Sequence, residues 1–143
     1  MSEHSAAAQR EFVRDLYRTL YEEQSFDAVS DFYAPDAVRH GGLQGAVEGH
    51  EAIQAYLRGS LGGLSDIEVT ELRWLAEDDL LAYDFEMTAT HSGPVMDVPA
   101  TGNHLELTNT VWFRIEDGRV VDEWPRTDML GLLEGIGVVD LPS

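Results

Sequence analysis

The chemistry this sequence can offer gathers near its end, in Asn109, Trp124, Arg126 and Asp128. Asp117-Gly118 lies between two alternating apolar runs and is a strong two-residue hairpin signal. A turn there pairs Glu116 with Arg119. Ile115 then faces Val120, Phe113 faces Asp122, Val111 faces Trp124, Asn109 faces Arg126 and Leu107 faces Asp128. Side chains alternate along a strand, so these residues share one sheet face. That face is apolar near the turn and polar farther along. Polar groups on an apolar surface cost free energy unless they are paired or useful. The functional reading is a pocket floor: Trp124 stacks on a flat ligand, Asn109 and Arg126 bind its oxygens, and Asp128 is the acid or base. Burial would raise the Asp128 pKa and a neighbouring Arg would lower it. The same spacing also fits an Arg126–Asp128 ion pair that only closes the strand end, and a one-residue bulge would exchange the two faces.

A second alternating run places Leu81, Tyr83, Phe85, Met87, Ala89 and His91 on one face. His91 ends it and is the other candidate proton carrier, unless it faces a loop and is satisfied by backbone. His40 could close the opposite end of a cavity, and Tyr17 and Tyr83 complete the candidate contacts. The candidate site is thus catalytic Asp128 and His91, with Tyr17, His40, Tyr83, Asn109, Trp124 and Arg126 binding substrate. No two histidines sit at ligand spacing on one element, so no metal is expected. No nucleophile elbow, phosphate loop or dinucleotide-binding glycine pattern is present.

These residues need elements to position them. Phe12, Val13, Leu16, Tyr17, Leu20 and Tyr21 recur at helical spacing and predict a first helix. A short second helix is expected over Phe26 to Tyr33, stopped by Pro35, then a brief extended segment to His40 and a glycine loop through Gly41, Gly42, Gly45 and Gly49. A third helix is expected from about His50 to Leu61. Long strands follow over Ile67–Leu75, Asp79–His91, His104–Ile115 and Val120–Asp128, and a last short helix over Met129–Glu134. Helices first and consecutive antiparallel strands after them indicate an α+β fold with helices on one side of the sheet.

The chain has 143 residues, enough for one domain spanning 1–143 with a real core. It has no cysteine, hence no disulfide or thiolate chemistry. Acidic residues number 27 against 9 basic ones, all arginine, for a net charge of −18. Such a surface repels phosphate backbones and anionic lipid, so neither nucleic acid nor membrane is an expected partner. No apolar run suggests a signal peptide or membrane span, and a cytoplasmic protein is expected. The acidity reads as adaptation to a high-salt, halophilic cytoplasm, with an ordinary acidic bacterial protein as the alternative.

Three stretches carry a family resemblance: Thr88-Ala89-Thr90-His91-Ser92-Gly93, Pro99-Ala100-Thr101-Gly102, and Phe113 through Trp124 with its Asp117-Gly118-Arg119-Val120 turn and Glu123-Trp124. Together with Phe32 through His40, Glu48 through Ile53 and the tail Leu130 to Gly137, they resemble the SnoaL-like polyketide cyclase family over nearly the whole chain. The resemblance implies a nuclear transport factor 2-like cone: a curved antiparallel sheet packed on N-terminal helices around a pocket, with homodimers formed through the sheet. It further implies acid/base chemistry on a small hydrophobic carbonyl compound without metal or organic cofactor, or a binding protein of the same fold. In the family an Asp directly follows the Trp and is the expected carboxylate. Here Pro125 stands at that position.

Overall fold

The computed structural model describes residues 5–41 and 45–140. Helix α1 (Ala6–Leu16) begins where the Ser5 side chain accepts a hydrogen bond from the Ala8 amide, a standard way to satisfy a free N–H at a helix start. Its apolar stripe buries Val13 and Leu16. The chain continues into a π-helical segment, Tyr17–Glu22, which buries Tyr17, Leu20 and Tyr21. Such wide turns are rare and concentrate near functional sites. A 3₁₀ turn (Phe26–Ala28) and a short α2 (Val29–Phe32) follow. The helix stops at Phe32, one residue short of the expected end at Tyr33, and the backbone is extended from there on, as Pro35 requires of its predecessor Ala34.

Strand β1 (Tyr33–Arg39) leads through the glycine loop to β2 (Val47–Glu48) and α3 (His50–Leu61). Gly42 of that loop lies outside the described residues. α3 turns Ile53, Leu57 and Leu61 inward. Then come β3 (Leu64–Glu77), β4 (Leu80–His91), β5 (His104–Glu116), β6 (Arg119–Thr127) and the closing helix α4 (Met129–Gly135). The strands form one sheet in the order β2-β1-β6-β5-β4-β3. It is mixed, because β1 runs parallel to β6 while all other neighbours are antiparallel. The α+β cone is therefore present, with one parallel pairing where an all-antiparallel sheet was expected.

The inner face is legible strand by strand. Leu81, Tyr83, Phe85, Met87, Ala89 and His91 of β4 are buried, as are Leu105, Leu107, Asn109, Val111, Phe113 and Ile115 of β5. Helix α1 and the π segment cover this face. Tyr17 packs its ring on Tyr21, Tyr83 and Phe85, with centroids 4.4–5.6 Å apart. Aromatic pairs of this kind contribute about 0.5–1.5 kcal/mol each beyond the area they bury.

The β5–β6 hairpin closes as expected and then departs. Asp117 and Gly118 both have positive φ, 52° and 73°, as a two-residue hairpin turn of this type requires, and Glu116 pairs with Arg119. Ile115 faces Val120, but the next pair is Arg114 with Asp122. Val121 is an extra residue in β6, a bulge. Beyond it Phe113 faces Glu123, Trp112 faces Trp124, Val111 faces Pro125, Thr110 faces Arg126 and Asn109 faces Thr127.

Candidate functional site

One inserted residue exchanges the faces of β6. Glu123 and Pro125 turn inward and are buried, whereas Trp124 and Arg126 turn out. Trp124 packs on the outer face against His40, with ring centroids 5.1 Å apart and planes 7° from parallel. His40 Nε2 lies 2.9 Å from Asp122 Oδ1, so this candidate ligand residue also belongs to the outer face. Arg126 is exposed and donates to the Pro125 carbonyl. Asp128 stands at the N-cap of α4, where it is exposed and accepts from the Gly131 amide at 2.9 Å. A carboxylate there complements the free N–H groups of a helix start. The expected pocket floor of Trp124, Arg126 and Asp128 does not exist, and neither does the Arg126–Asp128 ion pair.

His91 is fully buried at the end of β4 and is not among the walls of either cavity described below. Its Nδ1 accepts from the Thr101 amide at 3.3 Å and lies 2.9 Å from Thr101 Oγ1. The backbone donor makes Nδ1 the acceptor, so in the neutral ring Nε2 carries the proton, and that atom has no partner. His91 holds the loop after β4 in place. Tyr83 is buried and stacked on Tyr17, and it too is not among the walls of those cavities. Of the candidate residues, Tyr17 and Asn109 line the interior cavity.

That cavity has a volume of about 90 Å³ and lies between the π segment, α3 and the inner sheet face. Phe85, Met87, Leu107 and Val111 supply apolar walls, with Pro125 beside Val111. Tyr17, Tyr21, Arg39 and Tyr56 supply the polar side. A larger hollow of about 890 Å³ lies between α3, the loop around Pro94–Asp97 and α4. The two share Tyr56, Ser60, Met129 and Leu132 as walls, so they adjoin. The mouth is built by small and flexible side chains, and the inner end by rigid rings.

Arg39 dominates the electrostatics of the inner end. It sits on β1 with Tyr33 and Ala37, all buried. Its guanidinium lies over the Tyr56 ring, 4.5 Å from the centroid. Its Nε is 3.5 Å from Glu123 Oε1 but makes no hydrogen bond. Glu123 in turn accepts from the Tyr33 hydroxyl at 2.7 Å, while its Oε2 has no partner. Burial is the largest single influence and opposes the charge on Arg39, but the Glu123 carboxylate together with Tyr21, Tyr56 and Tyr33 outweighs it and holds the pKa above the usual arginine value. Burial likewise pushes Tyr21 up to about 12, against the pull of Arg39. Burial also raises Tyr17 and Tyr33 well above the usual phenol value. At neutral pH Tyr17, Tyr21 and Arg39 are therefore all donors, and no carboxylate is among the described residues of the cavity wall.

Arg39, Tyr21, Tyr33 and Tyr56 are absent from the residues expected from sequence. The signal for Arg39 was alternation: Ala37 and Arg39 share a parity opposite to Val38 and His40. Among the described residues no group of three or more His, Asp or Glu could hold a metal ion. Among the described residues no helix is long and apolar enough to cross a membrane.

The model of the SnoaL-like polyketide cyclase family matches residues 11–136. No curated protein matches the sequence. Among solved structures, TsrD from Streptomyces laurentii has a TM-score of 0.82 at 21% identity, over 94% of this chain and 98% of that one. IdmH from Streptomyces antibioticus has a TM-score of 0.74 at 26% identity, over 90% and 98%. A SnoaL-like polyketide cyclase from Agrobacterium tumefaciens has a TM-score of 0.71 at 16% identity, over 90% and 97%.

Proposed function

We propose, because the chain belongs to the SnoaL-like polyketide cyclase family, that its cavity receives a small, largely apolar carbonyl compound and binds it without a cofactor. The supporting observation is the composition of the inner end. Tyr17 Oη and Arg39 Nε are buried donors with no acceptor, around a cavity walled otherwise by apolar groups. Unmet buried donors are costly, and a ligand oxygen would relieve them. Pro125 favours binding over the family's chemistry, because the inward position after Trp124 carries no titratable group.

The test is calorimetric titration with 2-acetylnaphthalene, a flat aromatic ketone. Wild type should bind it, and Thr127→Trp, which fills the inner cavity from one of its walls, should weaken binding at least tenfold. Unchanged binding by the variant would remove the ligand from this cavity.

A catalytic reading is favoured by one observation, the unpartnered Oε2 of buried Glu123. In that reading, which needs the Glu123 carboxylate to reach past Arg39 into a cavity whose wall it stands behind, Glu123 takes the acid/base role first assigned to Asp128 and His91, and Arg39 and the tyrosines stabilise the enolate oxygen. It requires exchange of the ketone's methyl protons in D₂O above the uncatalysed rate, and loss of that exchange in Glu123→Gln. Binding with no exchange leaves a binding protein.

The partner proposed is a second copy of this chain. Leu75, Ala82, Trp112 and Trp124 lie in one cross-strand row on the outer sheet face, and Leu75 and Trp112 are exposed. Trp112→Glu should convert a dimer to a monomer in sedimentation; a monomeric wild type would refute the proposal.

A further inference from the structure

We propose that the ligand enters carboxylate first, as a small apolar acid whose carboxylate seats against Arg39. This rests on the pocket reading above and names the class of compound. Three phenols, Tyr17, Tyr21 and Tyr56, and the Arg39 guanidinium line a cavity of about 90 Å³ with no carboxylate among the described residues of its wall. Hydroxyls alone would suit any oxygen. The guanidinium adds a permanent charge, and it is nine-tenths buried, with Nε lacking a hydrogen-bond acceptor. Glu123 lies outside the cavity wall, and its Oε1 already accepts from Tyr33. Glu123 therefore keeps Arg39 charged while leaving the cavity side of the guanidinium to a ligand. A planar carboxylate matches the planar fork of an arginine, and a charged hydrogen bond is about twice as strong as a neutral one.

The alternatives fit less well. Phosphate recognition uses several cations or a cradle of backbone amides, and here a single arginine faces Phe85, Met87, Leu107 and Val111. A cation would meet Arg39 directly. The hydrocarbon part of an acid has room in the adjoining hollow of about 890 Å³, whose walls include Val95, Met96, Met129 and Leu132.

The experiment compares 2-naphthoate with 2-naphthamide by calorimetry at pH 7.5, since the two have nearly the same outline and differ in charge. Wild type should bind the acid at least tenfold tighter. Arg39→Met loses the charge but strands Glu123, so the Arg39→Met/Glu123→Gln double variant is used, with a cooperative melt required. Its preference for the acid over the amide should fall to twofold or less. Arg39→Lys, which retains a charge, should keep part of the preference and serves if the double variant does not fold. Equal affinity in wild type, or a preference for the amide, overturns the inference and leaves the pocket reading standing. A preference that survives in the double variant removes Arg39 from recognition. Binding of neither probe, nor of 2-acetylnaphthalene, overturns the pocket reading and the inference with it.

Discussion

Replacing Arg39 by Met should destabilise the protein far more than replacing Arg39 and Glu123 together. The side chains are 8% and 1% exposed, with 3.5 Å between Nε and Oε1. At an effective dielectric near 20, unit charges at such a distance attract by about 5 kcal/mol, against about 1 in bulk water. Much of that is consumed by taking both groups out of water, so the intact pair contributes little net. Removing one partner is different, because it leaves the other charge buried and alone. Arg39→Met and Glu123→Gln should each cost about 3–5 kcal/mol. The double variant Arg39→Met/Glu123→Gln buries no ion, and the introduced glutamine still offers an oxygen to the Tyr33 hydroxyl. It should lie within about 2 kcal/mol of wild type, so the cycle shows a coupling of at least about 4 kcal/mol. Urea unfolding followed by far-ultraviolet dichroism reads this directly. With a slope of about 2 kcal/mol per molar urea, each single variant should lose roughly 1.5–2.5 M in midpoint. Single losses that add to the double loss within about 0.5 kcal/mol would show that the two charges do not interact, and would undo the picture of Glu123 as the support for Arg39.

Three further outcomes follow from the same geometry. Asp128→Ala should cost about 1 kcal/mol through loss of the α4 cap, Asp128→Asn should be close to neutral, and neither should alter ligand affinity; a large loss of binding in Asp128→Asn would return that residue to the site. Burial raises the Tyr21 pKa to about 12 from an ordinary 10, so its contribution is complete below pH 10 and disappears as pH rises through 12. Two units correspond to about 3 kcal/mol, so urea midpoints should fall steeply above pH 10, and phenolate absorbance of the folded protein should lag that of the urea-unfolded chain; coincident titrations would contradict the burial. With a net charge of −18, melting temperature should rise from low to molar salt as self-repulsion is screened, and equal stability in both would argue against the halophilic reading.

The fold was legible because its signals are local and repeated. Six alternating residues on β4 and six on β5 define one buried face, and the Asp117-Gly118 turn fixes where the hairpin closes. The site was much less legible, because it depends on counting from that turn. Val121 is one residue too many, and every assignment beyond it changed faces: Trp124 and Arg126 went out, Glu123 and Pro125 came in. No residue type at Val120-Val121 announces the bulge. The indirect sign was chemical. With an unbroken register, Asp122 would face Phe113 inside the sheet; with the bulge, Asp122 meets His40 and Arg114 on the outer face. Arg39 escaped notice because its partners, Tyr56 and Glu123, are distant in sequence, and only packing brings them together.

The same bulge explains how Pro125 is tolerated in a sheet. A proline offers no N–H to a neighbour and belongs at edges. Pairing of β1 with β6 ends at Arg39 opposite Glu123, with one more bond from the His40 amide to the Glu123 carbonyl. From Pro125 onward β6 has a neighbour on the β5 side only, so the missing donor costs no ladder bond on the β1 side. That leaves the inward position free of the usual demand for a hydrogen-bonding residue, and the chain fills it with an apolar ring against Val111. The polar groups of the cavity stand instead on the neighbouring strand β1, in Arg39, and on the helical segments, in Tyr17, Tyr21 and Tyr56. A carboxylate restored by Pro125→Asp would therefore face Arg39's side of a cavity only about 90 Å³ in volume. If the cavity binds acids through Arg39, that substitution should abolish 2-naphthoate binding by repulsion while sparing 2-naphthamide. Tighter binding of the acid in Pro125→Asp would mean that Arg39 is not what recognises it.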